Sequence, residues 1–96
     1  MTPGERLLRD YRAAFLRHLA RPAEPALHAG YRLGRESLAA GLGLLEVVRV
    51  HHDVLIEVLS GGPAGEAPLV AAAASDFLLE VLASYDMTQR GITRNG

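Results

Sequence analysis

Four histidines and four serines are the residues of this chain that invite a chemical reading. His51 and His52 are adjacent. On a helix, neighbours point about 100° apart, so the two imidazoles are badly placed to share one metal ion. The i, i+4 pair of an H-E-x-x-H helix is absent, and no carboxylate cluster accompanies His18 or His28. A phosphoacceptor histidine on a bundle is a second reading, and it requires an imidazole open to solvent. The helical phase instead sets His51 among Val47, Val48, Val54 and Leu55, where a structural histidine bonded to a neighbouring helix belongs. None of Ser37, Ser60, Ser75 and Ser84 sits in a G-x-S-x-G turn. The run Gly61-Gly62-Pro63-Ala64-Gly65 carries no lysine and cannot be a P-loop. The chain contains neither Cys nor Lys, which removes thiol nucleophiles, disulfides, cysteine-based zinc sites and Schiff-base chemistry. The catalytic inventory is close to empty. No catalytic, cofactor-binding or metal-binding residue is expected in this chain.

Bulk properties narrow the remaining classes. The formal net charge is −1, with ten basic and eleven acidic side chains. Nucleic-acid binders usually carry a strong basic excess, so this balance weighs against one, although arginine is concentrated in the first 35 residues. No uninterrupted apolar stretch of about 18 residues occurs, and charged residues interrupt the N-terminus, so neither a membrane span nor a signal peptide is expected. Ninety-six residues make one domain, and 49% of them are hydrophobic.

Four helix-period segments, separated by Gly and Pro, supply the scaffold. The first is predicted over 5–20, with Thr2 as cap, Pro3 in the first turn and Leu7, Leu8, Tyr11, Ala14, Phe15, His18 and Leu19 on one side. The second is predicted over 24–40, with Leu27, Tyr31, Gly34 and Leu38 as its stripe. Gly30 and Gly34 within it imply close approach of a neighbouring helix. The third is predicted over 44–59. Its inner face reads Leu44, Val47, Val48, His51, Val54, Leu55 and Val58, and its outer face Glu46, Arg49, Asp53 and Glu57. After a loop at Ser60–Gly65, the fourth is predicted over 67–90, with Pro68 in its first turn, Gly91 as its C-terminal cap and residues 92–96 fraying. Its inner face is Val70, Ala74, Phe77, Leu78, Val81 and Tyr85. Short connections join these segments into an all-α, antiparallel four-helix bundle. The residues expected to be largely buried are Tyr11, Phe15, Leu27, Tyr31, Val48, His51, Leu55, Phe77, Val81 and Tyr85.

Two apolar strips are left over. On the fourth helix Leu79 and Ala83 point away from the core, edged by Asp76 and Asp86, a pattern a partner helix can use. On the first helix Ala13, Leu16 and Ala20 form a second strip, bordered by Arg9, Arg12 and Arg17, and suit a homodimer interface. Isolated exposed leucines among alanines are also common on ordinary surfaces. A dimeric small-ligand sensor is a further alternative, and it would need an apolar pocket with converging polar groups.

The ordered set Tyr11, Phe15, Leu16, His18 and Leu19, then Glu24, Leu27 and Arg35, then Leu45, His51 and Leu55, then Asp76-Phe77-Leu78-Leu79-Glu80-Val81-Leu82 with Tyr85 and Met87, resembles the N-terminal domain of RsbU-type stress-response phosphatases. The resemblance implies a small helical bundle that dimerises, related to the C-terminal domain of the clock protein KaiA. It implies a cytoplasmic bacterial module that binds a switch kinase of the RsbT type and thereby activates a PP2C-like, metal-dependent serine phosphatase domain in a sigma-factor pathway. The outer strip Asp76, Leu79, Ala83 and Asp86 is the expected surface for such a partner, with Glu24 and His28 at the start of the second helix beside it if those two helices are neighbours. His28 stands where the family pattern calls for a larger aromatic residue.

Overall fold

Thr2 opens the first helix with a capping box. Its side chain accepts from the Glu5 amide, and the Glu5 carboxylate accepts from the Thr2 amide, both at 3.1 Å. The Thr2 amide bond, with a smaller contribution from the Thr2 side chain, holds the exposed Glu5 carboxyl below its ordinary value. The structure, a computed structural model, describes residues 1–95, with side chains placed as far as Gly91. Four helices account for nearly all of it: α1 (Pro3–Ala20), α2 (Glu24–Ala39), α3 (Leu44–Gly61) and α4 (Ala67–Asn95), with a 3-10 turn at Ala64–Glu66. No strand occurs among the described residues.

The helix ends follow local chemistry. After α2 comes Gly41 at φ 81, the left-handed conformation that favours glycine. Its amide reaches the Leu38 carbonyl, and the Leu42 amide reaches that of Ser37, so the orphan carbonyls at the helix end are satisfied. Gly91 was expected to do the same for α4 and does not. The helix continues through it to Asn95. No proline follows to stop it, and one glycine in a helix interior costs only about 1 kcal/mol. The fraying expected of 92–96 therefore gives way to helical backbone up to Asn95, while Gly96 lies outside the described residues.

The core is built on aromatic contacts. Phe77 of α4 meets Tyr11 edge-on at 5.1 Å, tilts against Phe15 at 5.8 Å and stacks on His18 at 5.9 Å. Tyr11, Phe15, Phe77, Val47, Val54 and Val81 are fully enclosed. The most extensive packing is between α2 and α4. It depends on the two glycines of α2. A Cβ at Gly30 would come 3.0 Å from the Phe77 ring, and one at Gly34 would come 1.9 Å from the Val81 carbonyl oxygen. Gly30 meets residue 77 and Gly34 meets residue 81, so α2 and α4 run in the same sense where they touch.

This contact corrects the expected face of α2. The buried residues are Ala26, Gly30, Leu33, Gly34 and Ser37, whereas Leu27 and Tyr31 are only half-buried. The true stripe is rotated from Leu27–Tyr31–Leu38 by roughly 90°, close to one residue step. Small residues face α4 because its backbone comes so near, and the bulky ones are displaced to the rim. Ser37 satisfies its hydroxyl on the Leu33 carbonyl at 2.8 Å.

The third helix is also less buried than expected. It packs on α1 and α4 but has little contact with α2. Only Val47 and Val54 are fully buried. His51 and Leu55 are half-buried, Tyr85 opposite is too, and Val48 is 38% exposed. Two supporting neighbours cover a narrower strip than the full apolar face that the valines advertised.

Candidate partner-binding surface

His51 is half-buried, and its Nδ1 lies 2.7 Å from the Tyr11 hydroxyl on α1, a bond between helices. Burial, with a smaller contribution from neighbouring His52, pushes its pKa below the ordinary 6.5. Burial likewise raises the Tyr11 phenol well above its ordinary range. His52 is exposed. His18 is enclosed against Phe77, and its Nδ1 has no hydrogen-bond partner. Among the described residues no three His, Asp or Glu side chains converge as metal ligands would. His51 reads as inter-helix bonding and His18 as packing.

The depressed pKa of His51 has a consequence for stability. The unfolded chain accepts a proton near pH 6.5 that the folded chain resists, so the unfolded form binds more protons below that pH. The melting temperature should be level above the ordinary histidine pKa and fall as pH drops through and below it. His51→Asn, whose amide can still reach Tyr11, should reduce that slope. Melting curves between about pH 5 and 8 decide the matter, and identical slopes in the two proteins would contradict it.

The leftover strip on α4 is open. Leu79 is 69% exposed, Asp76 and Asp86 are exposed, and Ala83 is half-buried. Leu79, Ala83 and Asp86 line one shallow groove together with Leu44, Leu82, Tyr85 and Gln89. The groove is mostly apolar and lies between the N-terminus of α3 and the outer side of α4. Tyr85 forms part of its wall, and its hydroxyl donates to the Leu42 carbonyl at 2.8 Å, tying α4 to the turn after α2. Burial and the charge of Glu46 raise the Tyr85 phenol above its ordinary range. Asp86 also pairs with Arg90 at 3.0 Å, but both side chains are largely solvated and the pair is weak.

Leu79, Ala83 and Asp86, which share the outward side in the helical pattern, lie together; the pattern gives no sign of Leu44, Leu82, Tyr85 and Gln89 beside them. Leu44 and Tyr85 had been assigned to the core, and a residue at the border of an inner face is the natural candidate for a groove wall. Asp76 lies one turn before Leu79 and does not line the groove. Glu24 and His28 are exposed, with His28 stacked on Tyr31 at 6.2 Å, and neither lines it. Their helix flanks α4 beside a second groove made by Tyr31, Arg35, Leu38, Ala39, Ser84, Met87 and Thr88. Ser84 is buried there, with its hydroxyl unpaired. On α1, Leu16 is 45% exposed and Ala13 and Ala20 are exposed.

Contrary to the reading from uninterrupted apolar runs, α4 is long and apolar enough, by length and composition, to cross a membrane, with a mean hydropathy of 1.5 over its best window. Its most apolar face, through Val70, Ala74, Phe77 and Val81, is the one buried in the core.

Four helices around one aromatic core, with apolar strips left exposed on α1 and α4, define a small all-helical domain. The family model of the N-terminal domain of the phosphoserine phosphatase RsbU matches residues 9–88. The chain belongs to this family, whose domain is the regulatory and not the catalytic part of a stress-response phosphatase. No curated protein sequence and no solved structure matches the chain significantly.

Proposed function

We propose that this domain is the docking site for a switch kinase of the RsbT type, and that docking activates a PP2C-like serine phosphatase in a cytoplasmic, sigma-factor-controlling stress response. The observation that carries the reading is Leu79. A leucine 69% exposed on the outer side of α4, beside Ala83 in an apolar groove edged by Asp86, has no role in the fold. Such a residue suits an anchor for a partner helix, since the alanine permits close approach. Asp76 and Asp86 would steer a basic partner and fix its register more than add affinity. Glu24 and His28 extend the surface along α2. Family membership, which implies a protein-interaction role in phosphatase regulation, supports this partner class. The four helices follow an up-and-down, antiparallel course, and the domain works as a homodimer.

Calorimetric titration of the purified chain with a switch kinase of the RsbT type from the same genome tests the reading. Saturable binding is the expected result. A folded chain that shows no heat of binding at tens of micromolar, with no binding by a second method, would overturn it.

A further inference from the structure

The third helix leaves exposed a stripe that neither its own fold nor the α4 groove uses. Leu45 is 79% exposed, Val48 38%, Ile56 49% and Leu59 37%, and His52 lies exposed in their midst. The stripe runs at steps of three, four, four and three residues, so it stays on one side of the helix. It faces away from Val47 and Val54, which are buried under α1 and α4.

The spacing has a symmetry. Counted from His52, Val48 and Ile56 stand four residues away on either side, and Leu45 and Leu59 stand seven away. A second copy of α3 laid antiparallel across this face, about a two-fold axis at His52, would put Leu45 on Leu59 of the partner subunit. Val48 would meet Ile56 of the partner subunit, and His52 would meet its own counterpart. Every apolar residue of the stripe finds an apolar mate, as an isologous interface requires.

Charge follows the same axis. In that register Arg49 lies two residues, about 3 Å along the helix, from the level of Asp53 of the partner subunit. Both flank the stripe on the same side, and a two-fold antiparallel pair brings like flanks together. Among the described residues neither Arg49 nor Asp53 forms an ion pair, whereas Glu57, further round, is held by Arg12 at 3.0 Å. Each interface therefore gains two Arg49–Asp53 pairs at its rim. The strip on α1 offers a single large apolar side chain, Leu16, among arginines. Those arginines would face their own kind across a two-fold axis.

We infer that α3 is the self-association face, and that a second copy of this chain covers Leu45, Val48, Ile56 and Leu59 in antiparallel register centred on His52. The inference rests on the homodimer proposed above and assigns that dimer its surface. Sedimentation equilibrium on the full chain and its variants tests it. The wild-type chain should sediment at twice its 10.3 kDa. Ile56→Arg and, separately, Leu45→Arg should sediment at the mass of one chain with helicity unchanged, since both sites are solvent-facing. Leu16→Arg should remain a dimer. Arg49→Asp should weaken association at least about fivefold, because attraction becomes repulsion. Adding Asp53→Arg to it should restore association. Dimers that persist in both folded arginine variants would overturn the inference while leaving the dimer itself standing, as would dissociation by Leu16→Arg alone. A wild-type chain that stays at one-chain mass at millimolar concentration would overturn the dimer and its surface together.

Discussion

Gly34→Ala should cost this domain about 3 kcal/mol or more, at the upper end of what overpacking does. The added carbon would sit 1.9 Å from the Val81 carbonyl oxygen, 2.8 Å from its carbonyl carbon and 3.2 Å from its Cα. These are backbone atoms in the middle of α4, so no side-chain rotation relieves the clash. Either α2 and α4 must separate along their most extensive contact, or the α4 backbone must distort. Alanine's better helix propensity returns at most about 1 kcal/mol. For a chain of this size the melting temperature should fall by more than about 12 °C. Far-ultraviolet circular dichroism melts measure it directly. A melt within a few degrees of the wild type would mean that α2 and α4 are not so close and that the core is misassigned.

Phe77→Ala should be similarly damaging, at about 3–5 kcal/mol, the range for removing a buried aromatic side chain. Phe77 is fully enclosed and is the hub on which Tyr11, Phe15 and His18 converge from α1, with Gly30 of α2 against the ring. Its loss opens a cavity between three helices that alanine cannot fill. It also leaves the ring of Tyr11 without its edge-on neighbour. Phe77→Leu keeps much of the volume and should cost less, about 1.5 kcal/mol. Urea denaturation of both variants gives the comparison. Equal stabilities for Leu and Ala at this position would show that the ring is not the keystone of the core.

How much of this was legible beforehand depends on the helix. For α1, the Thr2–Pro3–Glu5 start and the Leu7–Tyr11–Phe15–His18 side could be read directly, because cap chemistry is local and the apolar side is made of large residues. For α2, the presence of Gly30 and Gly34 correctly implied a close neighbour, but the phase was wrong. Patterns weight large side chains, and here the contact is made by the absence of side chains. For α3, period alone could not say how many helices would cover it, so Val48 and Leu44 were assigned inward. For α4, the outward position of Leu79 was legible because Phe77 and Val81 fix the inner side so firmly. The rest of the groove was not, since Leu44, Leu82 and Tyr85 come together only once α3 is set beside α4.

Docking of the regulatory partner on the outer side of α4 is tested most directly by titrating a switch kinase of the RsbT type with the wild-type chain and with Leu79→Arg under the same conditions. Because Leu79 is solvent-facing, the variant should keep its helicity and melt within about 0.5 kcal/mol of the wild type. It should lose at least about 1–2 kcal/mol of binding, a five- to thirtyfold weaker complex, as removal of an interface anchor does. A folded Leu79→Arg chain that binds the kinase as tightly as the wild type would contradict the claim.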